Sequence, residues 1–176
     1  MIKREMYMSR IRPFIGSELI KVVTGIRRSG KSVMLELVKQ ELIESGVSTD
    51  NFISFNFEDM NYAALCNAKA LHDEITARAK SIQGKIYLFF DEIQEVTDWE
   101  KCINSLRVSI DCDIYITGSN AKLLSGELAT YLAGRYVEFV IYPFSFAEFI
   151  DMYKSVIPHE SIQQCFQKYL IYGGMP

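Results

Sequence analysis

The chain of 176 residues lacks the marks of a membrane or secreted protein. No apolar run approaches the roughly 18 to 20 residues that a bilayer-spanning helix needs, and the charged start has no signal-peptide core. Its four cysteines, Cys66, Cys102, Cys112 and Cys165, form no Cys-x-x-Cys pair and have no histidine cluster beside them. We interpret them as reduced thiols rather than a zinc site or disulfide framework, and expect a cytoplasmic protein without a membrane partner.

A strong excess of charge of one sign is missing as well. The net charge is −3, with 23% charged and 49% hydrophobic residues, a balance that predicts one well-buried globular domain. Four basic residues near the start, Lys3, Arg4, Arg10 and Arg12, are interpreted as a solvated face, which we favour over a nucleic-acid contact. The sequence therefore gives no support for nucleic acid as a partner.

A phosphate-binding motif is the most informative feature that the chain does contain. Residues 25–32, Gly-Ile-Arg-Arg-Ser-Gly-Lys-Ser, fit the pattern G-x-x-x-x-G-K-[ST] at every defined position. In such a loop the backbone N–H groups and the following helix N-terminus attract phosphate, while Lys31 reaches the β- and γ-phosphates and Ser32 completes a Mg²⁺ shell. The predicted nucleotide contacts are Gly25, Ile26, Arg27, Arg28, Ser29, Gly30, Lys31, Ser32 and Val33.

The flanks of the motif have the structure that it requires. The β-branched run 19–24 predicts a buried strand, and apolar residues at helical spacing from Met34 to Leu42 predict a helix that stops near Gly46. Further strands are predicted at 51–57, 86–90, 114–117 and about 136–142, alternating with helices. The predicted helices cover 70–81, 98–109 (with Asp98 as its cap), about 121–133, and two short segments after Pro143. Such alternation predicts an α/β fold, a parallel sheet with helices on both faces.

The apolar strand at 86–90 ends in two carboxylates. At the carboxyl end of a strand near the loop, Asp91 can hold Mg²⁺ through water and Glu92 can orient or deprotonate an attacking water. A solvated strand end is the alternative, and the four or more apolar residues before Asp91 favour catalysis. We therefore predict Asp91 as a metal ligand and Glu92 as a catalytic residue.

Two further sets of polar residues leave alternatives open. The strand at 114–117 has room to insert beside the first strand and is followed by short hydrogen-bonding side chains, so Thr117, Ser119 or Asn120 is expected to sense the γ-phosphate. Ser119 and Asn120 are favoured, although a polar turn accounts for any one of them nearly as well. Arg27 and Arg28 either contact phosphate or another domain, or form a solvated basic face.

Together these segments resemble the prokaryotic AAA-type ATPases related to the archaeal ATPases. The shared stretches, in chain order, are Thr24–Ser32, Phe90–Gln94 with Trp99, Ile116–Ser119, Gly134–Arg135 with Pro143–Phe146, and Gly173–Pro176. The resemblance implies a three-layer αβα P-loop core of AAA type over residues 1–145, with a five-stranded parallel sheet of order 5-1-4-3-2. It also implies that residues 146–176 begin a helical lid.

The same resemblance implies roles for individual residues. Lys31 and Ser32 would contact phosphate and Mg²⁺, Asp91 would be the Walker B aspartate, and Glu92 the catalytic glutamate. Arg135 would be an arginine finger, often supplied by a neighbouring subunit; the alternative is a pairing with an acidic residue of its own domain. Asn56 is a further hypothesis, as a residue that holds Glu92 away from water.

The implied function is a Mg²⁺-dependent ATPase that binds ATP or ADP and couples nucleotide state to conformational change. The alternative is a nucleotide-occupied regulatory module with little turnover; GTP is less favoured because no Asn-Lys-x-Asp motif occurs. Expected partners are a second copy of the chain or the C-terminal domain of unknown function that follows Gly173–Pro176 in similar proteins. No arginine follows Arg135, so these residues supply no lid arginine of the usual kind.

Overall fold

A five-stranded parallel sheet organises the protein. The computed structural model describes residues 2–118, 132–157 and 159–175. The strands pair in the order β2-β3-β4-β1-β5, and each pairing is parallel. Their bounds are β1 Ile20–Thr24, β2 Phe52–Asn56, β3 Ile86–Asp91, β4 Cys112–Thr117 and β5 Tyr136–Val140. The predicted order 5-1-4-3-2 is confirmed, since it is the same order taken from the opposite edge.

Six α-helices accompany the sheet within the described residues. They are α1 Glu5–Ile11, α2 Lys31–Glu44, α3 Ala68–Ala79, α4 Trp99–Ser109, α5 Phe146–Val156 and α6 Ile162–Tyr172. The sequence did not predict α1, and the helix predicted at about 121–133 lies outside the described residues up to position 131. None of the helices in the described part of the chain is long and apolar enough to cross a membrane.

The core is divided between the two faces of the sheet because strand side chains alternate. On one face Leu88 and Phe90 of β3 pack with buried residues of α3 and α4, such as Leu71 and Ile103. On the other face Phe89 packs with the buried residues of α1 and α2. Burial of each large apolar side chain contributes about 1.5–3 kcal/mol relative to exposure, so helices on both faces are held to the sheet.

The position of β4 decides which loops meet. β4 lies between β1 and β3, with Val23 paired to Thr117 and Phe90 paired to Ile116. The predicted insertion of the fourth strand beside the first is therefore confirmed. Because the carboxyl ends of parallel strands share one edge, the loop after β1, the acidic end of β3 and Thr117 come together there.

The amino-terminal edge of the sheet holds a buried ion pair that the sequence did not reveal. Lys21 and Asp113 are both fully buried, with Lys21 Nζ 2.5 Å from Asp113 Oδ1. Asp113 Oδ2 also accepts hydrogen bonds from the Tyr115 hydroxyl at 2.9 Å and the Gly16 N–H at 2.7 Å. Burial lowers the pKa of Lys21, and the neighbouring Asp113 carboxylate opposes that shift.

Helix caps explain where several helices begin. Ser145 and Glu148 form a reciprocal capping box at the start of α5, and Ser161 and Gln164 form another at α6. Asp98 directly precedes α4 as predicted, but its carboxylate makes no cap and instead accepts from Lys101 at 2.9 Å. The predicted side-chain cap at Asp98 is therefore wrong.

The four cysteines are free thiols, and three of them are buried. Burial raises the pKa of Cys102 to about 12 and, with nearby carboxylates, that of Cys112 to about 11. These thiols stay protonated near neutral pH, so they are packing residues rather than nucleophiles.

Candidate nucleotide-binding site

The phosphate-binding loop, residues 25–30, connects β1 directly to α2, and two glycines permit its course. Gly25 has φ +146°, and a Cβ added there would lie 2.2 Å from the backbone oxygen of Ile141. Gly30 has φ +95° and immediately precedes α2. The close backbone approach at the first position therefore requires glycine, while the left-handed conformation at the second strongly favours it. The loop is thereby placed against the N-terminus of α2.

The loop and the first turn of α2 turn their polar groups toward one cleft. Lys31 is buried, with Nζ 3.4 Å from the Ile26 carbonyl and 3.6 Å from Glu92 Oε1. Ser32 and Val33 are exposed in the first turn of α2, where backbone N–H groups have no carbonyl partner inside the helix. This arrangement offers an ammonium group, a hydroxyl and helix N–H groups to an anion.

The ends of β3 and β4 are joined by hydrogen bonds. The Thr117 hydroxyl donates to Asp91 and accepts the backbone N–H of Glu92 at 3.0 Å. Gln94 Nε2 donates to Glu92 Oε2 at 2.6 Å, so Gln94 and Lys31 together hold the Glu92 carboxylate. Glu92 has φ +53°, a strained left-handed conformation of the kind that concentrates at functional sites.

An open cleft of about 580 Å³ lies over the loop. Its volume falls within the range of small-molecule and cofactor sites. The residues that line it are Arg27, Arg28, Gly30, Lys31, Ser32, Val33, Glu58 and Glu92. Cations from the loop side face carboxylates from the β2 and β3 side, so the cleft is polarised in the sense that a Mg²⁺-bound polyphosphate requires.

Several predicted site residues lie away from this cleft or outside the described chain. Ser119 and Asn120 lie outside the described residues, which leaves Thr117 as the described member of the three. Arg135 lies just before β5, at the amino-terminal edge, and its Nη1 donates to Asn104 Oδ1 at 3.1 Å. At roughly 3.3 Å per strand residue, the length of β5 places Arg135 about 16 Å from the phosphate-binding loop of the same chain.

Sequence reasoning missed two residues that hold the site. Gln94 has no role of its own in the sequence analysis, yet its amide donates to the Glu92 carboxylate. The hypothesis that Asn56 holds Glu92 finds no such contact among the described residues, since Asn56 Oδ1 accepts the N–H of Glu58 at 3.0 Å. Arg4 was interpreted as part of a solvated face, yet it is 3% exposed and donates to the Ser29 carbonyl at 2.9 Å. The solvated interpretation is wrong for Arg4, and no local pattern distinguishes it from its basic neighbours.

Comparison with known proteins identifies the family. The family model described as an AAA domain matches residues 17–150. The chain belongs to the AAA domain family. It is 44% identical over its full length to an uncharacterized protein of Haemophilus influenzae, and 35% identical over 164 residues to one of Methanocaldococcus jannaschii. The chain spans 44% and 35% of these two curated relatives, with 89% of the chain matched in the second.

Solved structures agree on the fold. The fold matches the ORC1 protein of Aeropyrum pernix in complex with DNA over 88% of this chain and 49% of that one, with a TM-score of 0.62 and 12% identity. It also matches the Hsp104:casein complex of S. cerevisiae over 100% of this chain and 35% of that one, with a TM-score of 0.63 and 17% identity. The predicted AAA-type P-loop fold is confirmed, and family membership supports a nucleotide-binding function of ATPase type.

Proposed function

We propose that this AAA domain is a Mg²⁺-dependent ATPase that binds ATP and ADP and couples nucleotide state to conformational change. One observation carries the proposal: Lys31 and Glu92, from two separate segments, line one cleft at the carboxyl edge of the sheet with Nζ and Oε1 3.6 Å apart, and Asp91 directly precedes Glu92 and is bonded to Thr117. An ammonium for phosphate, a carboxylate for a metal and a second carboxylate for water are the groups that hydrolysis of a phosphoanhydride needs.

The loop residues bind and orient the phosphates in this proposal. Backbone N–H groups of residues 25–33 and the N-terminus of α2 surround the negative charge, and Lys31 neutralises it from within the protein. Since Lys31 Nζ is 3.6 Å from Glu92, phosphate would compete with that carboxylate for the ammonium group. Nucleotide binding would thereby free Glu92 to accept a proton from the attacking water.

Ser32 and Asp91 fit a Mg²⁺ ion. Ser32 presents an exposed hydroxyl on the first turn of α2, and Asp91 has one oxygen engaged by Thr117, leaving the other for a ligand. Hydroxyl and carboxylate oxygens are hard ligands of the kind that Mg²⁺ prefers. The ion would neutralise charge that develops on the phosphate oxygens.

A nucleotide-occupied module with little turnover is a second candidate, and one contact favours it. The Glu92 carboxylate lines the cleft but is engaged by both Gln94 and Lys31, so it is not a free base there. Under this alternative the domain would bind ATP while Glu92 stayed restrained. The residue contacts are compatible with both functions, and the rate of hydrolysis separates them.

Lys31→Ala tests the binding step that both functions share. We expect the Kd for Mg·ATP to rise about 10- to 100-fold, because one charged contact contributes about 1.5–3 kcal/mol and each 1.4 kcal/mol is about tenfold in affinity. Equilibrium titration with a fluorescent ATP analogue measures it. Lys39→Ala, on the same helix but paired with Glu36, is the control and should bind like the unchanged protein. Full affinity in Lys31→Ala would contradict the loop assignment.

We propose that Arg135 acts on nucleotide across a subunit boundary. It is exposed and lies at the edge opposite its own loop, so it could reach only the nucleotide of another copy. We therefore expect Arg135→Ala to lower turnover about 10³-fold or more in an assembled sample without changing the Kd for Mg·ATP. The role would be contradicted if turnover per chain of the unchanged protein did not depend on protein concentration and Arg135→Ala were fully active.

The remaining parts of the chain are assigned as proposals too. We propose residues 1–145 as the ATPase core and α5 with α6 as the start of a helical lid. A further domain, of the kind that similar proteins carry after this segment, is the proposed recipient of the conformational change. Nucleic acid is not part of the proposal.

A further inference from the structure

Arg4 is a buried charged residue that the proposed chemistry does not use. It is 3% exposed, although it belongs to the short segment before α1. Its φ of +43° is left-handed, a conformation that costs energy for any residue with a side chain. A buried arginine in a strained backbone conformation is maintained only where its surroundings determine it, so its contacts define its role.

The guanidinium of Arg4 bonds to three separate parts of the protein. Nη1 donates to the Ser29 carbonyl at 2.9 Å, and Nη2 donates to the Tyr142 carbonyl at 2.8 Å. Nε donates to Glu148 Oε1 at 2.9 Å. The first partner belongs to the phosphate-binding loop, the second follows β5, and the third lies in the first turn of α5. These contacts connect the loop to α5 through one side chain.

The charge and the packing around the guanidinium keep this arrangement in place. Burial raises the pKa of Glu148, but hydrogen bonds from Arg4 and Ser145 outweigh it, so the pKa lies below its ordinary value. Glu148 is thus charged at neutral pH. The guanidinium also lies 4.6 Å from the Tyr7 ring centroid and 5.0 Å from that of Phe144. Its planar fork is therefore fixed in orientation as well as in charge.

The Ser29 carbonyl lies where a bound phosphate would contact the loop. It belongs to the peptide that joins Ser29 to Gly30, directly before Lys31 and the first turn of α2. The buried Ser29 hydroxyl makes no hydrogen bond to the described part of the protein, and the Ser29 N–H donates to the Ile26 carbonyl at 3.2 Å within the loop. The Ser29 carbonyl accepts from Arg4, which links this residue to segments outside the loop. A ligand that rotates this peptide must therefore shift the guanidinium or break its bond to it.

We propose that Arg4 is a positioning residue that couples the phosphate-binding loop to α5. When phosphate enters the loop, the Ser29 peptide and the guanidinium move together, and the Glu148 contact transmits that movement to the start of α5. The inference rests on the proposed nucleotide binding, and it adds a route by which occupancy of the loop reaches the C-terminal helices. A fork-shaped donor is required, since one ammonium group cannot bond to all three acceptors in these directions.

Hydrogen–deuterium exchange with and without Mg·ATP tests the coupling. In the unchanged protein we expect nucleotide to alter exchange both in residues 25–33 and in α5. In Arg4→Lys the loop should still respond, while the response of α5 should fall at least about fivefold, because charge without the fork does not restore the link. Arg12→Lys is the matched control: Arg12 is an exposed arginine directly after α1 that pairs with Glu5 and Glu41, and the variant should respond normally.

Glu148→Gln weakens the same link from its less buried end, because a neutral amide replaces the charged partner of Arg4, and it serves if Arg4→Lys does not fold. An α5 response that persists in both variants, or an unchanged protein whose loop responds while α5 does not, would overturn the coupling and leave nucleotide binding intact. If neither region responds to Mg·ATP at saturating concentration in the unchanged protein, the proposed nucleotide binding fails, and the coupling fails with it.

Discussion

Asp113→Ala is expected to lower the free energy of unfolding by about 3–5 kcal/mol, because it leaves a charge buried without its partner. Lys21 and Asp113 are fully buried, and in Asp113→Ala the Lys21 ammonium would lose its carboxylate while keeping the Ser17 carbonyl, 2.9 Å away, and the Tyr115 ring, 5.3 Å from its centroid. The Tyr115 hydroxyl and the Gly16 N–H would lose their acceptor as well. Urea unfolding followed by circular dichroism measures the loss.

The chain offers a matched control two residues away. Asp111 also pairs with a lysine, Lys85, at 2.8 Å, but the Asp111 side chain is 68% exposed. Since an exposed ion pair contributes about 0–1 kcal/mol, Asp111→Ala should have a small effect on unfolding. Equal losses of stability in Asp111→Ala and Asp113→Ala would contradict the view that burial of the charge determines the cost.

The features that could be predicted from the sequence are those that local patterns encode. The phosphate-binding motif, the apolar run before Asp91 and the alternation of strands and helices each occupy a few consecutive residues. They were sufficient for the parallel α/β sheet, and the resemblance supplied its order. The roles assigned to Lys31, Ser32, Asp91 and Glu92 stay predictions, although the structure brings these residues to one edge.

The features that could not be predicted depend on partners far apart in the chain. Arg4 contacts residues 25 and 144 positions away, and Lys21 meets Asp113 across 92 positions. The composition around each residue favours another interpretation: Arg4 lies in a basic segment that predicts a solvated face, and Lys21 lies in an otherwise apolar strand. Their burial depends on the packing of α1 and on strand order, which no local pattern contains.

Glu92→Gln is the second large effect that we expect. The substitution keeps the shape and the hydrogen-bond acceptor of the side chain but removes the carboxylate that would accept a proton. General base catalysis contributes about 10²–10⁴-fold, so the turnover number for ATP should fall by that factor. The Kd for Mg·ATP should not rise, because Glu92 competes with phosphate for Lys31 and the substitution removes that competing charge.

Glu95→Gln is the control for this substitution. Glu95 lies three residues after Glu92 and is exposed, and Glu95→Gln removes an equal charge while leaving the Glu92 carboxylate in place. We expect its turnover number and its affinity for Mg·ATP to match those of the unchanged protein. Loss of activity in Glu95→Gln would assign the effect to net charge near the cleft rather than to Glu92.

Steady-state hydrolysis of Mg·ATP by the unchanged protein, Glu92→Gln and Glu95→Gln, with Kd measured for each, is the most direct test of the ATPase assignment. We expect no loss of affinity in either variant, with turnover in the unchanged protein and in Glu95→Gln and a loss of turnover of about 10²-fold or more in Glu92→Gln. The assignment would be contradicted if Glu92→Gln hydrolysed ATP as fast as the unchanged protein. It would also be contradicted if all three proteins bound Mg·ATP and none hydrolysed it at any protein concentration.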